Sequence, residues 1–109
     1  MAAFRTGYVY VERCYAGQIS ETEDGYRFIY DEGYLSREDA RAVSLTLPLK
    51  REAYESNTLF SFFDGLIPEG WLLNVVAHNW KLDRRDRFGL LLVACRDTIG
   101  NVTIREVRE

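Results

Sequence analysis

Asp64 and Glu69 flank a tight corner, Phe62-Phe63-Asp64-Gly65-Leu66-Ile67-Pro68-Glu69-Gly70, and two carboxylates brought together by a turn are the raw material of general acid/base catalysis. The same positions serve structure equally well. An aspartate before a glycine can accept freed backbone amides at a helix end, and a glutamate after a proline suits the amide end of the next helix. His78 is the sole histidine, and Cys14 and Cys95 share no ligand spacing with it, so a metal site is not expected. On a helix, that histidine reads as a surface or partner contact. Ser61 has no histidine at a suggestive spacing, so a hydrolase triad is not expected. No open glycine-rich loop is available for phosphate, because Leu66, Ile67 and Pro68 fill the interval between Gly65 and Gly70. No cofactor is expected.

Trp71 follows the corner directly. Pro68 disfavours a helical Ile67 and ends one helix, and its fixed φ suits the first turn of another over residues 68–80. At about 100° per residue, Leu72, Leu73, Val76, Ala77 and Trp80 fall on one arc, the expected core face. Trp71 falls opposite, beside Asn74, Val75 and His78. Two readings of Trp71 stand: a protein-contact residue, since exposed aromatics lead the hot spots of interfaces, or a satellite core under residues 50–56.

The elements around the corner follow from periodicity. Residues 7–14 alternate Tyr8 and Tyr10 against Val9 and Val11, a strand; a connection at residues 15–17 leads to a second strand from Gln18, and Glu23-Asp24-Gly25 turns into a third over residues 26–30 with Phe28 and Tyr30 on one face. Ser36 could cap a helical turn over residues 36–39. Residues 43–49 alternate like a strand that Pro48 confines to an edge, residues 50–56 read as loop, and Asn57 could cap a helix carrying Leu59, Phe60, Phe63 and Leu66. A third helix with acidic caps packs Phe88, Leu91, Leu92 and Cys95 inward, and residues 101–107 form a last strand of undecided face. The expected fold is α+β: one small domain over residues 1–109, an antiparallel sheet with about three helices packed against it.

Composition bounds the function. The chain has 109 residues, 47% hydrophobic and 28% charged, with 14 basic against 17 acidic side chains and a net charge of −3. That suits one globular core and offers no attraction for phosphate backbones, so direct nucleic-acid binding is not expected. With no apolar run of bilayer length and no secretory leader, a soluble cytoplasmic protein with reduced cysteines is expected, and the Asn101-Val102-Thr103 sequon reads as accidental.

Several stretches together resemble a known family. Gly17-Gln18-Ile19, Phe28-Ile29-Tyr30, Tyr34-Leu35, Ser44-Leu45-Thr46-Leu47-Pro48-Leu49, the corner at 62–70, and Phe88-Gly89-Leu90-Leu91 with Asp97 and Gly100 are similar to the N-terminal subdomain of HipA-type serine/threonine kinases. The resemblance runs from about Tyr8 to Ile104. In that family the subdomain precedes a larger kinase core, and here the chain stops where the subdomain would stop. A free-standing copy resembles the HipS antitoxins of three-part HipBST toxin–antitoxin systems, where the kinase HipT lacks this subdomain and HipB is the DNA-binding partner. The resemblance implies a non-enzymatic antitoxin that binds and inhibits a HipT-type kinase, with Trp71, Asn74, Val75 and His78 as contact residues; the alternative is a structural subunit that completes a split kinase. Where relatives carry polar or acidic residues and an arginine after the Pro-Glu-Gly, this chain has Trp71-Leu72-Leu73-Asn74-Val75, and Cys95-Arg96 stands where Gly-Gly is common.

Overall fold

The computed structural model describes residues 4–67, 70–83, 85–94 and 102–106, with backbone alone at 70, 71 and 94. Aromatic and β-branched residues build β1 (Thr6–Val11), β2 (Cys14–Glu21) and β3 (Tyr26–Tyr30), an antiparallel meander. A short β4 (Tyr54–Ser56) pairs with β3, and β5 (Val102–Arg105) returns to pair with β1. The sheet order is β4-β3-β2-β1-β5, so the first strand lies inside the sheet and the last at its edge. Between them lie α1 (Glu32–Leu35), α2 (Ser61–Asp64), α3 (Gly70–Asn79) and α4 (Arg87–Ala94).

One face of the sheet is the core face. Val9, Val11, Ile19, Phe28, Tyr30, Val102 and Ile104 are buried there with Phe63 of α2 and Phe88, Leu90, Leu91 and Leu92 of α4. The Phe28 and Phe63 rings lie 5.3 Å apart and Tyr26 meets Phe88 at 5.8 Å, so each helix is keyed to β3 by an aromatic pair. The opposite face carries Tyr10 and Tyr15, whose rings meet edge-on at 5.6 Å. Val102 and Ile104 settle the face of β5, both inward. Gly17 is required where it stands: a Cβ there would lie 2.3 Å from the Ile29 carbonyl oxygen of the paired strand.

Several local expectations are corrected. The first hairpin turns at Glu12 and Arg13, not at residues 15–17; both have positive φ, 48° and 72°, the backbone that two-residue hairpins need. The helical turn lies at Glu32–Leu35, capped by Asp31, whose carboxylate accepts the Tyr34 amide at 3.1 Å; Ser36 closes its C-terminal end instead of opening a helix. Residues 43–49 are not a strand. A turn closed by the Leu47 amide on the Ser44 carbonyl at 3.1 Å forms there, with only an isolated Ser44–Leu47 bridge. Part of the expected loop at 50–56 is β4. The helix before the corner is a single turn beginning after Phe60, with no side-chain cap from Asn57. Pro68, Glu69, Cys95, Asp97 and Gly100 lie outside the described residues, and with them the expected helix start and the two-cysteine question; Cys14 is a free thiol.

Candidate functional site

The corner is held from beneath. Phe63 is fully buried and packs edge-on against Phe60 and Phe62, at 6.3 and 5.2 Å. Among the described residues the Asp64 carboxylate accepts not from a freed amide but from Arg87 Nε, at 2.8 Å, and joins α2 to α4. That ion pair engages half of the imagined acid/base pair in structure. Glu69 lies outside the described residues.

A second ion cluster fixes the start of α4. The Arg5 guanidinium meets Glu21 at 2.7 and 3.0 Å and Asp86 at 2.8 and 2.9 Å, and lies 5.5 Å from the centroid of the Phe88 ring. Asp86 also accepts the Gly89 amide at 3.1 Å, so it caps α4 while it binds Arg5. These bonds hold the Asp86 and Glu21 carboxyls below their usual ranges.

α3 packs on α4, which gives it one line of support. Ala77 is buried and Leu73 and Val76 are half-buried, whereas Leu72 and Trp80, expected in the core, are 45% and 50% exposed. One supporting helix covers a narrower strip than the predicted arc, and Trp80 lies past the last helical residue. The exposed side of α3 carries Leu72, Asn74, Val75, His78 and Asn79, with Val75 41% exposed. Trp71 stands on the same helix; its side chain lies outside the described residues. α3 ends in a Schellman motif, with the Leu82 amide on the Ala77 carbonyl at 2.9 Å, the Lys81 amide on the His78 carbonyl at 3.2 Å, and Lys81 at φ 54°.

The described cavities offer little to a small molecule. One, of about 240 Å³, is lined by Glu12, Cys14, Arg37, Asp39 and Arg41, among others, and its charges balance. Among the described residues no cluster of His, Cys, Asp and Glu could hold a metal ion, and no helix is long and apolar enough to cross a membrane. Sequence reasoning missed Arg5, for which the sequence carries no signal, and the outward-facing Leu45, hidden in an alternation that resembled a strand.

A meander whose first strand is closed by the last, with the described helices inserted between β3 and β5, defines a small α+β domain with a helix side open to solvent on which Leu72 and Val75 are exposed. The sequence model described as HipA N-terminal domain matches residues 7–105, and the chain belongs to that family. It is similar to an uncharacterized protein of Haemophilus influenzae, 31% identical over 105 residues that make up 96% of this chain and 95% of the relative. Among solved structures it is similar to one described as the N-terminal domain of HipA toxin, with a TM-score of 0.71 and 26% identity, covering 100% of this chain and 98% of the other.

Proposed function

We propose that this protein is a HipS-type antitoxin: a cytoplasmic, non-enzymatic domain that binds a HipA-like, HipT-type serine/threonine kinase and silences it, in a complex that includes a HipB-type DNA-binding protein. The observation that carries the reading is the length of the Haemophilus relative, 95% of which aligns to this one domain. In that relative the domain is nearly the whole chain, as an inhibitor acting in trans requires.

The contact surface is the exposed side of α3. Trp71, with Asn74, Val75 and His78 beside it and Leu72 at the margin, meets the kinase and either enters its active-site cleft or wedges a mobile loop into an inactive arrangement. Neither route needs chemistry from this chain. Central tryptophans of such interfaces contribute about 2 kcal/mol or more, roughly thirtyfold in affinity. Growth of cells expressing the kinase, with and without this protein, tests the reading alongside a pull-down of the pair. Rescue with direct binding is expected, and Trp71→Ala should restore toxicity while the protein stays folded. If the Trp71→Ala protein neutralises as well as wild type, the contact assignment is wrong. Binding that raises kinase activity would replace the antitoxin reading with that of a subunit completing a split kinase.

A further inference from the structure

Residues 41–49 are restrained far more than a surface loop requires. Three tyrosine hydroxyls hold the backbone. Tyr34 donates to the Arg41 carbonyl at 2.7 Å and accepts its amide at 2.9 Å; Tyr30 donates to the Leu47 carbonyl and accepts the Val43 amide at 3.0 Å; Tyr54 donates to the Pro48 carbonyl at 2.6 Å. Burial pushes the Tyr30 phenol up to about 12, so it stays a neutral donor. Within the turn, Ser44 Oγ accepts the Thr46 amide at 3.2 Å. Val43 and Leu47 are sunk in the core, 7% and 3% exposed. Between them, at the tip, Leu45 is 100% exposed.

A fixed backbone with a bare leucine has already lost the freedom that a flexible loop would lose on binding. Its charge is one-sided as well. The chain has more acidic than basic residues, yet residues 41–51 hold Arg41, Lys50 and Arg51 and no acid. Lys50 is held 4.1 Å from the Tyr54 ring centroid, beside the clamp. None of the three cations forms a salt bridge among the described residues.

We propose that Leu45 is a second anchor, entering an apolar pocket rimmed by acidic side chains on the partner kinase, with Lys50 and Arg51 facing that rim. The proposal rests on the kinase-binding reading above and adds a contact on another part of the fold, since α3 leans on α4 while the turn hangs from β3 and β4. The test is calorimetry and association kinetics of the full chain with the kinase. Leu45→Ala should weaken binding by about tenfold or more with an unchanged melting curve, because the side chain supports nothing in the free protein. Leu45→Ser is the independent second variant. Lys50→Glu with Arg51→Glu should slow association and flatten its salt dependence. Wild-type affinity in both Leu45 variants overturns the anchor and leaves the kinase reading standing. A wild-type protein that does not bind the kinase overturns both.

Discussion

Arg5 ties the chain's first described residues to β2 and α4 with one guanidinium. Five hydrogen bonds from its backbone amide and side chain reach Glu21 and Asp86. Glu21 and Asp86 titrate below their ordinary 4.5 and 3.8 because the arginine favours their charged forms. A depressed carboxylate contributes stability that is present above the unfolded value and lost as pH falls through the folded one. The cluster is therefore complete at neutral pH and dissolves in acid, once pH falls below the ordinary carboxylate range. Arg5 is 39% exposed, so water screens the pairs, and Arg5→Gln should cost about 1–2 kcal/mol at pH 7. Melting temperatures measured from pH 7 to pH 2 should show the wild-type advantage shrinking as the acids protonate; a constant difference would mean that packing on Phe88, not charge, is what Arg5 supplies. Gly89, in the Phe88-Gly89-Leu90-Leu91 run, exists for the same cluster, since a Cβ there would stand 2.4 Å from Asp86 and 2.9 Å from the Arg5 guanidinium.

Helices and strands show where local pattern decides structure and where it does not. Lys81 occupies the left-handed position of the Schellman motif that ends α3, a conformation glycine adopts without steric cost. Lys81→Gly should raise stability by up to about 1 kcal/mol, read by chemical denaturation, and should leave kinase binding unchanged. The strands of the meander were legible because Val9, Val11, Phe28 and Tyr30 alternate with outward residues, and α4 because Phe88, Leu91 and Leu92 repeat at helical spacing. Less of α3 was legible. Periodicity ranks angles around a helix, but the width of the covered strip depends on what lies underneath, and among the described elements α3 packs chiefly on α4; Leu72 stays largely in water. Residues 43–49 misled for a related reason. Their alternation is real, but the phenols of Tyr30 and Tyr54 take up carbonyls that a partner strand would have bonded, and a turn results. The hairpin at Glu12 and Arg13 carried no glycine or asparagine to announce its positive φ.

At the scale of the whole molecule, the candidate site has two parts on different supports: helix α3, in which the helical placement of residue 71 was legible, and the Leu45 turn, which was not. If both contact the same kinase without sharing neighbours, their effects on affinity should multiply. The Trp71→Ala, Leu45→Ala double variant should lose the product of the two single losses in a binding titration, whereas a much smaller combined loss would mean that one contact forms only after the other. The sheet order adds a consequence for how the protein comes into being. β1 is flanked by β2 and by β5, and Tyr8 pairs with Arg105 across almost the full sequence. Such long-range pairing is slow to form, and no local segment can substitute for it. On the ribosome, the edge of β1 that pairs with β5 stays open until the residues of β5 have emerged from the exit tunnel. An interrupted translation product therefore lacks the closing strand and leaves that edge of β1 unpaired.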